Sequence, residues 1–85
     1  MYEYYFTFLS ITKAQRARTF LNEKGITSQL VQAPDSISSA GCGYALRIKQ
    51  SDGTTAARYL QRNSLQYKRI FRSDLQSLRY QEVFL

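Results

Sequence analysis

Tyr2, Tyr4, Phe6 and Phe8 occupy alternate positions of the run Tyr-Glu-Tyr-Tyr-Phe-Thr-Phe-Leu at residues 2–9. Alternation with period two puts all four rings on one face of a β-strand and leaves Glu3, Tyr5, Thr7 and Leu9 on the other. One face is aromatic and the other mixed, as expected of a sheet covered by helices on one side only. The next segment changes period. Ala14, Ala17, Phe20 and Leu21 recur at helical spacing, with Lys13, Arg16 and Arg18 mostly off that stripe. Thr12 reads as an N-cap with Gln15 three residues on, a capping box, and Asn22-Glu23-Lys24-Gly25 as the stop. The spacing predicts an amphipathic helix over 12–24.

The rest of the chain repeats the pattern. Ile26 to Gln32 alternates and reads as a second strand, and residues 33–43 are small, polar and turn-rich, hence a loop. Tyr44, Leu46 and Ile48 alternate with Ala45, Arg47 and Lys49, a third strand with one apolar and one largely basic face. Ser51 or Asp52 caps a second helix that ends at Asn63, with Ala56, Ala57 and Leu60 packing and Arg58 and Arg62 facing water. Tyr67 to Arg72 is the fourth strand. The order β-α-β-β-α-β predicts a ferredoxin-like α+β fold: a four-stranded antiparallel sheet with two helices on one face. Eighty-five residues build one such domain. The tail, residues 74–85, reads either as a short helix through Leu75 and Leu78 or as a β segment from Tyr80 to Leu85. Its apolar end, Val83-Phe84-Leu85, either covers the open sheet face or pairs with a second subunit, and a homodimer is the expectation.

Histidine is absent and Cys42 is the single cysteine. A structural zinc site needs four Cys or His ligands, and a Cys–His nucleophile pair needs a histidine. The carboxylates Glu3, Glu23, Asp35, Asp52, Asp74 and Glu82 are scattered, with no local pairing for acid–base work or hard-metal ligation. The expectation is a non-enzymatic protein without metal or cofactor. A lone cysteine forms no internal disulfide and fits a reducing compartment. The N-terminal residues lack a basic region and a small-residue cleavage site, and no apolar run approaches the roughly 20 residues of a membrane span. A cytoplasmic address without membrane contact is expected.

The net charge is +6, and residues 41–85 carry eight basic against three acidic side chains. That asymmetry favours an anionic partner: nucleic acid, a small anion or an acidic protein surface. Arg47, Lys49, Arg58, Arg62, Lys68, Arg69 and Arg72 could form a nucleic-acid surface, and a ferredoxin-like sheet is the architecture of the RNA-recognition motif. The third strand, however, lacks the aromatic pattern that motif requires. A basic, non-catalytic binding module is the alternative reading of the whole chain.

The one candidate chemical centre is Cys42. A free cysteine is most often a small buried hydrophobe. Here Gly41 and Gly43 leave the backbone bare around the thiol, and such segments adopt positive φ and point successive N–H groups at an anion. The same glycines also suit a plain tight turn into the third strand. Ser38 and Ser39 add hydroxyl donors, and Arg47 and Lys49 follow on the next strand. Amide donors and positive potential lower a thiol pKa from about 8.5 and increase the nucleophilic thiolate.

The segment around this loop has a family resemblance. An aromatic first strand precedes an Ala-rich helix ending at Gly25-Ile26, followed by Pro34, Ile37-Ser38-Ser39 and Gly41-Cys42-Gly43-Tyr44-Ala45-Leu46-Arg47-Ile48. Across residues 2–72 this resembles a family of small bacterial proteins described as selenium/sulfur carrier-like. The distinctive motif is Ser-x-x-Cys-Gly-x-Ala-Leu, carried by Ser39, Cys42, Gly43, Ala45 and Leu46. The resemblance implies a thiol carrier rather than a catalyst, with Cys42 holding a persulfide or selenosulfide. Gly41, Gly43, Ser38 and Ser39 would support the loop, Arg47 would help to stabilise the anion, and sulfur or selenium donor and acceptor proteins would be the partners.

Overall fold

A computed structural model describes residues 2–33, 43–74 and 79–85. Strand β1 (Tyr2–Phe8) leads into helix α1 (Ile11–Glu23), then strands β2 (Ser28–Gln32) and β3 (Tyr44–Lys49). A 3₁₀ turn (Gln50–Asp52) opens helix α2 (Gly53–Arg62), followed by strands β4 (Arg69–Asp74) and β5 (Tyr80–Val83). The strands form one antiparallel sheet in the order β2-β3-β1-β4-β5. Among the described residues it has five strands, not the four expected. β4 would otherwise present an unpaired row of N–H and C=O groups, and β5 satisfies them, setting Val83 opposite Ile70 and Tyr80 opposite Ser73. The tail is therefore a strand at its C-terminal end; the helix expected through Leu75 and Leu78 lies outside the described residues.

The register explains the aromatic alternation. Tyr4 pairs with Ile48 and Phe6 with Leu46 and Ile70, and paired residues share a face. That face packs on Ala14, Ala17 and Leu21 of α1 and on Ala56, Ala57 and Leu60 of α2 in one buried cluster, so both helices lie on the same side. Small alanines let the helices approach, while the central strand supplies the volume: Phe6 is 0% and Phe8 1% exposed. Val83 and Leu85 pack against this same core, leaving Phe84 outside it, 89% exposed.

The helix ends depart from the expected caps. Ser10, not Thr12, caps α1: its backbone is extended (φ −145°, ψ 159°) and its Oγ accepts from the Lys13 N–H at 3.2 Å. The third helical position is thus Lys13, so the Thr12–Gln15 box does not form. Asp52 stands at the start of α2 without a capping bond; its carboxylate lies 3.9 Å from Lys49 Nζ instead. The C-terminus of α1 ends as expected at Gly25, with φ +82°. The Gly25 N–H bonds the Asn22 carbonyl at 3.1 Å and the Ile26 N–H bonds that of Leu21 at 2.9 Å, a Schellman closure. This closure uses Ile26, and β2 begins at Ser28 rather than at Ile26.

Helix α2 ends the same way with a less suitable residue. The Leu65 N–H bonds the Leu60 carbonyl at 3.0 Å, and Ser64 takes the left-handed position at φ +58°. That closure delays β4 to Arg69, two residues past the expected start. A side chain in this conformation costs about 1–2 kcal/mol relative to glycine. Part of that is returned by the greater freedom of glycine in the unfolded chain. Ser64→Gly is therefore expected to stabilise the domain by about 0.5–1 kcal/mol, a rise in Tm of about 2–8 °C by thermal denaturation.

Candidate functional site

Strands β2 and β3 run antiparallel with Gln32 opposite Tyr44, and the Ala33 N–H bonds the Gly43 carbonyl at 3.0 Å. The two strands are thus bonded together as far as Ala33 and Gly43, the described residues on either side of residues 34–42. Ser38, Ser39, Gly41 and Cys42 lie outside the described residues; Gly43 and Arg47 lie within them. Gly43 is exposed, and a Cβ added there would meet nothing within 4 Å. Among the described residues positive φ occurs only at Gly25 and Ser64, so Gly43 itself does not use the left-handed region.

That closing bond lies at one end of the sheet. Tyr44 lies opposite Phe8, the last residue of β1, after which Leu9 and Ser10 lead into α1. Leu9 (61% exposed), Ile11 (39%) and Tyr44 (38%) bring apolar surface to this same end. Alternation had marked Leu9 and Tyr44 as strand positions. Their exposure follows instead from their place at the strand ends, where neither sheet nor helix covers them.

Arg47 stands four residues along β3 from Gly43, about 13 Å of extended chain. It lies on the helix-free face, where its guanidinium donates to the Gln29 side-chain carbonyl and sits 3.8 Å from a Glu3 carboxylate oxygen. Its charge is matched locally. Beside it, burial pushes the Tyr5 phenol above its ordinary pKa, and the hydrogen bond with Arg47 works in the opposite direction. Stability from a neutral Tyr5 is present below the unfolded phenol pKa, about 10, and declines as pH rises through the higher folded value. The rest of this face is a second, smaller apolar cluster: Ala33 and Ala45 buried, with Tyr5, Val31, Phe71 and Tyr80 around them. Tyr5 and Tyr80 meet edge to face at 5.5 Å.

The register sets three of the expected basic residues, Arg47, Lys49 and Arg69, on the helix-free face and Arg72 on the helix side. Arg47 faces Glu3, Lys49 faces Asp52, and Arg69 lies 3.9 Å from Glu82. Arg72 points to the helix side, its guanidinium 4.0 Å from the Tyr2 ring centre. Arg58 and Arg62 sit on exposed positions of α2. On the helix-free face β3 offers Ala45, Arg47 and Lys49 and no aromatic ring, as its sequence indicated.

One site residue set escaped sequence reasoning. Lys13 and Arg16 of α1 and Ser64, Leu65 and Gln66 of the α2–β4 connection line a cavity of about 120 Å³. Its parts are far apart in sequence, and no local pattern joins them.

A family model described as "Putative Se/S carrier protein-like" matches residues 3–72, a span that contains the loop and both of its flanking strands. Comparison with curated proteins and with solved structures returned no match. No helix among the described residues is long and apolar enough to cross a membrane.

Proposed function

The chain belongs to the selenium/sulfur carrier-like family, and from that premise we propose that it is a thiol carrier rather than a catalyst, holding sulfur or selenium on Cys42. The observation that carries this reading is the family match over residues 3–72, which contains the only cysteine of the chain. The Cys42 thiolate attacks the terminal sulfur of a donor persulfide. A new S–S bond forms at Cys42 as the donor's S–S bond breaks, and the donor leaves as a thiolate with the bonding electron pair. The exchange is redox-neutral and needs no oxidant. A selenosulfide donor reacts in the same way at selenium. With no second cysteine to resolve the adduct, release waits for an acceptor thiolate that attacks the terminal atom. Donor and acceptor proteins are the partners this chemistry requires, and Ser38, Ser39, Gly41 and Gly43 supply the loop's polar and glycine positions.

The scaffold suits that task. In the split-βαβ reading, the first four strands and two helices form the ferredoxin-like unit and β5 is an addition at its edge. The β2–β3 connection is then anchored at its two described ends by the bond between Ala33 and Gly43. The pH dependence of alkylation of the native chain tests the reading. The expected result is reaction at Cys42 with an apparent pKa below the ordinary thiol value of about 8.5. Alkylation only after unfolding would assign Cys42 a structural role.

Assembly belongs to the same proposal. The second apolar cluster and the exposed Phe84 favour a homodimer. Light scattering should return twice the chain mass, and a monomer at high concentration would reject it.

A further inference from the structure

We propose that the cavity between the first turns of α1 and the α2–β4 connection is a binding site for a single tetrahedral oxyanion, such as inorganic phosphate or a phosphate monoester. Among the described residues its charged lining is Lys13 and Arg16, with the polar residues Ser64 and Gln66 and the aliphatic Leu65. Among the described residues neither Lys13 nor Arg16 enters an ion pair, whereas Arg47, Lys49 and Arg69 each face a carboxylate. The volume, about 120 Å³, is that of a few water molecules, the scale of one such anion.

Two locally unfavourable choices meet at this cavity. Lys13 and Arg16 are like charges three residues apart, near a helix N-terminus whose partial charge is already positive, and the first turn has no acidic residue. Ser64 holds the left-handed position that glycine fills at the end of α1. Each choice is costly in an empty protein. Both are accounted for by an anion that pairs with the two cations and accepts from the Ser64 hydroxyl and Gln66 amide, since conflicts between local preference and fold gather at functional sites. Lys13 and Arg16 are both exposed and both line the cavity.

The site uses no atom of Cys42, so it stands or falls independently of the carrier reading. The test is an amide-resolved NMR titration of the full chain with inorganic phosphate at low ionic strength. The expected result is saturable shifts confined to residues 13–16 and 64–66, weakened by added chloride. A Lys13→Gln/Arg16→Gln double variant should lose affinity by about tenfold or more, as charge-assisted hydrogen bonds require. Both positions are exposed, and melting of the variant checks that its fold is intact. A parallel titration with a single-stranded oligonucleotide separates one oxyanion from an extended polyanion. Unsaturable shifts, shifts unchanged in the double variant, or binding of the oligonucleotide without phosphate would overturn the proposal.

Discussion

Cys42→Ser is expected to abolish uptake of sulfur or selenium from a donor persulfide while leaving the melting transition nearly where it was. The loss should be complete because the chain has no other thiol. A serine hydroxyl is not appreciably ionised near neutral pH, whereas an ordinary thiol already presents a few per cent of thiolate. Stability distinguishes the two roles a free cysteine can have. A loop thiol replaced by serine should change stability by no more than about 0.5 kcal/mol, as at other surface positions. A buried thiol would leave an inserted hydroxyl to be satisfied, at about 1–3 kcal/mol. Loading measured by mass and unfolding measured by urea, on the same two proteins, read the roles separately.

The second large effect lies in the scaffold and runs against helix propensity. Gly53 opens α2, and replacement of glycine by alanine in a helix ordinarily gains about 1 kcal/mol. Here the added Cβ would overlap Cδ2 and Cε2 of Tyr4. The Tyr4 ring is 8% exposed and packs edge to face against Tyr2 at 5.3 Å. Overpacking of this kind costs about 1–3 kcal/mol, a substantial part of the stability of a small domain. Gly53→Ala should therefore lower the urea midpoint. In a Tyr4→Ala background the same substitution should become neutral or stabilising, a coupling that a double-mutant cycle reads directly. Stabilisation by Gly53→Ala in the native background would contradict the packing described.

The parts of this fold that were legible in the sequence are those with local physical causes. Tyr2, Tyr4, Phe6 and Phe8 announced the covered face because side-chain alternation is a property of the strand itself, and Gly25 announced the end of α1 because φ +82° suits glycine. Strand β3 kept its expected bounds, Tyr44–Lys49. Features that depend on distant partners were not legible. For the tail the sequence left helix and strand both open, and the edge of β4 decides for a strand over Tyr80–Val83. Ser10 and Thr12 offer equivalent capping hydroxyls, and the choice falls to the extended backbone at Ser10. Arg47 looked like a free cation until the register set Gln29 beside it and Glu3 nearby. The oxyanion cavity joins α1 to the α2–β4 connection and exists only in three dimensions. For the candidate site, the cysteine and its flanking glycines were legible as composition, and the closing bond between Ala33 and Gly43 became visible only with the fold.

The most direct test of the carrier account is the intact mass of the native protein after incubation with a persulfide donor. One sulfur atom, or one selenium atom from a selenosulfide donor, should be added at Cys42. That atom should be removed by an external thiol and transferred to an acceptor thiol. No added mass in the native state, with Cys42 reacting only in denaturant, would contradict the carrier reading.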